Sequence, residues 1–489
     1  MIGLETILTF GFYLAFLLTV GVYFYRKTEN LESYLLAGRG LGSWVTALSA
    51  QASDMSGWLL MGLPGAVYLG GMKESWIAIG LLVGTILNWL LVSARLRVYT
   101  EKTRAMTLST FFEERFRDPT GLVRIISSVI TLFFFTIYAS SGLAASGKLF
   151  ESMFQIDYLL ATVIGAAVII LYTLLGGFAA VCWTDLVQGS LMFLAIIVVP
   201  LMGYVGGAGA AEGPTLAQKG LSMNPLVDGG KTISLWAIIS TAAWGLGYFG
   251  QPHILARFMG IRSISEIPKS ITIATVWVTI SLAGAVAVGL VAIPIYPELG
   301  APDHEKVFIY IIRDLFNPWV SGVLLAAILS AIMSTIDSQL LVSSSTLIED
   351  IYRRVIRRDA GEKELMLVGR ICVLAVSVVA FLLALDPEST VLGLVAYAWG
   401  GFGAAFGPLV LMALFSRRTT WKAALGGMVA GTVVLVLWKQ LGYGKTMYEI
   451  VPGFVVNLVT ILLLDRVFRQ RDPAIDRQFE EVEQALDRH

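Results

Sequence analysis

Charged side chains are scarce in this sequence, making up 14% of 489 residues. A soluble chain of that length would divide into several domains and keep about a quarter of its residues charged, so that class is excluded. Net charge is lacking too, with 35 basic against 35 acidic residues, and no global basic field invites a nucleic-acid partner. Only two cysteines occur, Cys182 and Cys372, far apart and without metal-ligand spacing, which speaks against a disulfide framework. The strings H-E-x-x-H, nucleophile elbow and P-loop are missing, so the common hydrolase and NTPase chemistries have no anchor. Short segments of alternating hydrophobicity are missing as well, which argues against a transmembrane β-barrel.

What remains is apolar: 56% of residues are hydrophobic and mean hydropathy is +0.75. A bilayer core of ~30 Å needs about 20 apolar residues per helix, and runs near that length recur, as in Trp76–Val92 and Ile371–Leu385. The first run, near 6–25, has no basic leader and no A-x-A site, and reads as a retained span. The sequence predicts an all-α membrane protein with thirteen spans. They fall near 5–25, 43–71, 75–94, 125–147, 157–178, 186–207, 233–256, 270–292, 317–346, 367–386, 389–415, 421–438 and 447–465. Of the 35 Lys and Arg, 27 fall in the connection after the first span, in alternate connections after it, and in the C-terminal tail. That bias sets the N-terminus outside and the C-terminus in the cytoplasm, across a bacterial-type inner membrane. The segment 95–124 reads as an interfacial elbow carrying short helices, and the Gly-rich outer loop 208–232 as mobile. The tail beyond Pro473 reads as solvated or as a short amphipathic helix.

Two spans carry helix-breaking chemistry beside polar groups. One runs Ser49-Ala50-Gln51-Ala52-Ser53-Asp54-Met55-Ser56-Gly57-Trp58 and continues to Pro64-Gly65. The other runs Trp244-Gly245-Leu246-Gly247-Tyr248-Phe249-Gly250-Gln251-Pro252-His253, where Pro252 cannot donate to the carbonyl of Tyr248. A freed carbonyl in lipid costs several kcal/mol unless protein or ligand uses it, and paired interrupted helices point to a transporter site. Spans 2–6 and 7–11 form two sets of five, each opening on a broken helix. Five being odd, the second set enters the membrane inverted. The division is then 1–42, 43–232, 233–420, 421–465 and 466–489. The alternative for either break alone is the ordinary tolerance of membrane helices for Gly and Pro.

In the ninth span Ala331, Ser334, Thr335 and Ser338 share one helical face, a carbonyl and hydroxyls that suit a hard cation or, equally, tight helix packing. Asp54, Asp185 and Asp337 lie within or at the edge of apolar segments, where carboxylates default to function. Asp185 also suits a helix start, and His253 suits either a pH-sensitive or a hydrogen-bonded structural role.

The blocks Ala52 to Gly65 (ASDMSGWLLMGLPG), Trp244 to Arg257 (WGLGYFGQPHILAR), Gly401 to Pro408 (GFGAAFGP) and Gly176-Gly177-Phe178 resemble the sodium:solute symporter family, within it most the bacterial sodium/proline symporters. The resemblance implies a leucine-transporter-type inverted repeat with one extra helix before it and two after. It implies a Na+ site from the backbone of Ala52 and Met55, with Ala331 and the hydroxyls of Ser334 and Thr335, supported by Asp54. It implies substrate contacts at Ser56 and Gly57, at Tyr138 in the block Phe135 to Gly142, and at Trp244, Tyr248 and Pro252. L-proline fits such a pocket: its carboxylate suits the amides of a half-helix N-terminus, its ammonium a freed carbonyl or aromatic face. The resemblance would put a hydroxyl residue at Asp337, so Asp185, Asp337 and Ser338 are candidates for a second cation or a shared proton. A channel, lacking here its symmetric pore motifs or charged rings, is the rival reading; no obligate protein partner is evident beyond lipid and the small-molecule substrate.

Overall fold

The computed structural model describes residues 3–25, 31–174, 177–208, 216–300, 303–468 and 472–487. The chain opens with α1 (Leu4–Tyr25) and a short α2 (Leu31–Leu36). The first broken span is α3 (Ser43–Asp54), a wide π-type turn at Trp58–Gly62, and α4 (Leu63–Gly70). Gly71, at φ 73°, stops α4 and turns the chain into α5 (Ser75–Leu91). An elbow of α6 (Ser93–Thr103) and α7 (Leu108–Phe116) leads to α8 (Leu122–Phe154), α9 (Tyr158–Thr173) and α10 (Phe178–Met202).

The second half repeats the plan. It has α11 (Leu235–Ala242), a 3-10 helix Ala243–Gly250 and α12 (Pro252–Gly260), then α13 (Ile267–Ile295), α14 (Val307–Leu315) and α15 (Pro318–Thr346). After these come α16 (Glu362–Leu383), α17 (Val391–Phe415), α18 (Trp421–Gln440), α19 (Ile450–Phe468) and α20 (Pro473–Asp487). Side chains cap many of the starts: Asp157, Ser234, Asn317, Thr390 and Thr420 each accept a backbone N–H two or three residues on.

Among the described residues ten helical runs are long and apolar enough to cross a membrane, against the thirteen spans expected. The difference has three sources. The interrupted segments 43–71 and 233–256 fall into pieces of at most 12 residues. The run Trp58–Leu91 continues through the turn after α4 and joins two expected spans. Helix α9, with 16 residues, is about 24 Å long, shorter than the hydrocarbon core. The loop expected to be mobile lies partly outside the described residues, and its remainder carries a two-stranded hairpin pairing Val227 with Thr232 and Asp228 with Lys231.

Three other expectations shift. Span 6 begins at Phe178 rather than near 186, so Asp185 is two turns inside α10 and fully buried. Lys148, placed by sequence at a span end, is buried against Glu305, its Nζ 2.7 Å from Oε2. Both Glu305 oxygens also accept from the start of α17, at Val391 N and Leu392 N. The tail docks as α20: Ile475, Phe479 and Val482 are buried, and the Phe479 ring lies under the guanidinium groups of Arg115 and Arg417. Outward, Phe12, Leu90, Phe133, Leu171, Leu201 and Leu463 are exposed, which suits hydrocarbon and not water.

The broken span sits so close to α5 that side chains have no room. A Cβ on Gly84 would stand 2.3 Å from the carbonyl oxygen of Gly245 and 2.5 Å from its Cα. Gly84→Ala is therefore expected to push the second break off α5 and destabilise the protein by about 2 kcal/mol. Thermal unfolding of the purified protein in detergent checks this; a melting temperature at the wild-type value would contradict the close packing.

Candidate functional site

The first break starts with one hydrogen bond that goes elsewhere. In a continued helix the amide of Ser56 would bond the carbonyl of Ala52. Instead Met55 leaves helical geometry (φ −80°, ψ 75°) and Ser56 N turns to Asp54 O at 2.9 Å. The Ala52 carbonyl is thereby released at the C-terminal end of α3, where helix geometry already concentrates negative potential. Helix α15 meets it. Ser334 Oγ lies 2.7 Å and Thr335 Oγ1 3.4 Å from Ala52 O, and both hydroxyls lie 3.2 Å from Ala331 O. Four neutral oxygens thus share one fully enclosed point, a hard-donor set that fits an alkali cation. Met55 caps the same half-helix, its own amide donating to Gln51 O.

Asp54 stands beside this cluster. Its Oδ2 accepts a 2.5 Å hydrogen bond from Tyr248 OH across the second break, and its Oδ1 has no hydrogen-bond partner among the described residues. Its backbone carbonyl accepts from Trp58 Nε1 at 3.0 Å and from Tyr138 OH at 3.5 Å. Asp54 therefore holds the two breaks together. Ser56 Oγ caps Trp58 N at 3.4 Å, while Gly57 is packed flat, since a Cβ there would meet Ala145 Cβ at 2.9 Å.

The second break is 3-10 rather than α. Trp244 and Tyr248, four apart, would share a face of an α-helix; at three residues per turn they diverge by about a third of a turn. Their rings meet again on a residue the sequence reading missed. Trp399 of α17 packs edge-on to Tyr248 at 5.0 Å and lies 6.5 Å from Trp244, donating Nε1–H to the Trp244 carbonyl at 2.7 Å. Trp58 and Tyr448 complete the aromatic wall around Trp244, at 6.3 and 5.4 Å. Trp399 replaces atoms that Gly247 leaves out, for a Cβ there would collide with its indole. The only sequence signal was a tryptophan beside the two glycines Gly400 and Gly401.

Beside Pro252, the side chain of Gln251 donates to Gly247 O at 3.1 Å and Trp399 O at 3.2 Å. Pro252 then opens α12, a position where its missing N–H costs nothing. A cleft lined by Met106, Thr107, Thr131, Pro252, Ala256 and Thr346 lies between the elbow and this half-helix. His253 is buried with neither ring nitrogen hydrogen-bonded among the described residues, its ring edge-on to Phe135 and Tyr138.

Ser338, on the same face of α15, does not join the oxygen cluster. It belongs with Asp185 in a second buried knot organised by Arg257, which falls just past the span expected at 233–256 and so in a connection. Arg257 is fully buried, its Nη2 3.1 Å from Asp185 Oδ2 and 2.5 Å from Ser338 Oγ. The correction has a simple cause: α12 runs on to Gly260, which carries Arg257 inside. Asp337 is buried beside Asp185 and Ser338, and among the described residues neither of its carboxyl oxygens has a hydrogen bond of ordinary geometry. Gly176 of the short signature block lies outside the described residues.

Comparison with known proteins agrees with this geometry. A family model described as Sodium:solute symporter family matches residues 34–431. The chain is 48% identical over 486 residues to the sodium/proline symporter of Salmonella typhimurium, covering 98% of this chain and 96% of that one. It is 47% identical over 474 residues to the high-affinity proline transporter PutP of Bacillus subtilis, covering 96% and 100%, and 44% identical over 492 residues to the osmoregulated proline transporter OpuE of the same organism, covering 99% of each. Among solved structures, a Na+-coupled sialic acid symporter superposes with a TM-score of 0.78 at 20% identity, covering 95% of this chain and 98% of that one. Mhp1, a nucleobase-cation-symport-1 family transporter, superposes at 0.54 with 14% identity, covering 91% and 98%. These likenesses show the leucine-transporter-type fold. The chain belongs to the sodium:solute symporter family, and it is a membrane transporter coupled to sodium, not an enzyme.

Proposed function

We propose that this transporter couples inward sodium movement to uptake of L-proline by alternating access between the two broken helices. The observation that carries the reading is the meeting of Ala52 O with Ser334 Oγ at 2.7 Å, which joins the first broken helix to α15 through oxygens that suit a cation. Sodium is held by the carbonyls of Ala52, Met55 and Ala331 and the hydroxyls of Ser334 and Thr335, with Asp54 favouring a cation through its field. Proline lies between Ser56, Gly57, Tyr138, Trp244, Tyr248 and Pro252. The free amides after Pro252, at the N-terminus of α12, suit its carboxylate, and the aromatic wall suits its ring. The names of the relatives favour this substrate. Asp185 is committed to Arg257, which leaves Asp337 as the carboxyl open to a second cation or a proton. The chain sits in an inner membrane with its N-terminus outside and its tail inside; residues 43–232 and 233–420 form the two repeats, flanked by 1–42, 421–465 and 466–489.

Uptake into proteoliposomes should require sodium and be driven further by a negative interior. One charge through 100 mV supplies ~2.3 kcal/mol and a tenfold sodium gradient ~1.4 kcal/mol, enough together for roughly 500-fold accumulation of a net-neutral solute. Equal accumulation after replacing sodium by choline, at fixed pH and voltage, would sink the reading.

Thr335→Ala removes one hydroxyl from the oxygen cluster and leaves the aromatic wall intact. The sodium concentration for half-maximal uptake should rise strongly, while proline affinity at saturating sodium changes little. The reverse pattern would place sodium elsewhere.

Trp244→Ala takes away the indole that Trp58, Trp399 and Tyr448 surround. Proline binding should weaken by on the order of 2 kcal/mol, with sodium binding alone preserved. Competition by unlabelled proline at the wild-type concentration would contradict this pocket.

A further inference from the structure

The guanidinium of Arg257 has no exposed surface, and its donors tie four helices together. Nε donates to Ser49 Oγ on α3 at 3.0 Å, and Nη1 to the carbonyl of His253 on its own helix at 2.8 Å. Nη2 serves Asp185 on α10 and Ser338 on α15. Ser49 Oγ also donates to Asp185 Oδ2 at 2.7 Å, which closes the ring, and the Phe178 face lies 5.0 Å from the guanidinium carbon. An ion pair this deep is weak evidence for stability, because desolvation offsets attraction, and membrane-buried charges default to function.

Its placement suggests which function. Ser49 precedes Ala52 by three residues on α3, and Ser338 follows Ser334 by four on α15, so each step is one helical turn. The Arg257 knot and the oxygen cluster are therefore stacked one turn apart across the same α3–α15 seam. A continuous path joins them: Arg257 Nη2 donates to Ser338 Oγ, Ser338 Oγ to Ser334 O at 2.7 Å, and Ser334 Oγ to Ala52 O.

We propose that Arg257, acting through Ser338, is the positioning residue that couples occupancy of the sodium site to closure of the α3–α15 seam. The inference rests on the sodium assignment made above. Parting α3 from α15 breaks both clamps, so sodium bound at one turn holds the knot closed at the next. By reciprocity the closed knot tightens sodium binding by the same factor. Arginine is suited to this role because its planar fork reaches several acceptors in fixed directions; the ammonium of lysine keeps the charge and loses the fork.

The native Cys182 reports on the knot, being fully buried beside Ser49 and Arg257 in the cluster with Leu41, Val45 and Phe178. In proteoliposomes carrying the full chain with Cys372→Ser, alkylation of Cys182 by N-ethylmaleimide is followed across sodium concentrations. Sodium should slow labelling of the otherwise native protein. In Arg257→Lys and in Ser338→Ala, labelling should quicken, and the sodium concentration giving half protection should rise about tenfold. Proline affinity at saturating sodium should barely move. Half protection at the native sodium concentration in both variants would overturn the proposal, as would native protein whose uptake is sodium-driven while its Cys182 is not protected. Should Arg257→Lys fail to fold, Ser338→Ala, which removes one hydroxyl from a helix face, decides alone. Native protein neither protected nor driven by sodium would instead overturn the sodium assignment.

Discussion

One unmade backbone hydrogen bond governs this structure. When Ser56 N turns away from Ala52 O, a carbonyl is left facing an interior without water, where an unpaired polar group costs several kcal/mol. The chain meets that cost from another helix, by placing Ser334 and Thr335 of α15 against the freed oxygen. The repair also forms the site proposed for sodium. Hydroxyls that donate to a carbonyl in one state can turn their lone pairs to a cation in another, so the oxygens are kept together at little cost in either.

The second break is repaired differently, and the contrast explains the division of labour. Gln251 and Trp399 donate to the carbonyls of Gly247 and Trp244, so its backbone is satisfied by bulky side chains that also build walls. The first break thus presents oxygens and the second presents aromatic surface. Tyr248 OH on Asp54 links the two, which lets a change in one helix be felt by the other.

Much of this was legible in the sequence because breaking residues are conspicuous in apolar runs. Gly-rich and Pro-containing stretches beside Asp54 and Gln251 marked both breaks, and the spacing of Ala331, Ser334 and Thr335 marked one face of α15. What escaped depended on where helices end. Arg257 was read as a loop cation because basic residues cluster in connections, while α12 carries it inward to meet Asp185. Ser338 shared the predicted face, yet one helical turn is enough to hand it from the oxygen cluster to the knot. Trp399 was silent because its role comes from a collision that only Gly247 avoids, a tertiary fact with no local pattern. The tail was ambiguous for a similar reason: its apolar spacing needed a partner, which α6 and the Arg115 and Arg417 guanidinium groups supply.

On the proposed sodium assignment, the distribution of charge along the α3–α15 seam follows from the need to let an ion go. One helical turn from the oxygens stands a fully charged pair, Arg257 joined to Asp185 of α10 and to Ser338 of α15. The oxygens themselves are neutral, and the adjacent carboxylate of Asp54 has one oxygen occupied by Tyr248. A carboxylate in direct contact would add a full unit charge to the attraction and make the hold less dependent on helix position. Neutral oxygens bind by dipoles, and their hold depends steeply on how closely α3 and α15 approach. Helix separation then controls affinity, and a transporter that must load at one face and discharge at the other needs its affinity set by geometry.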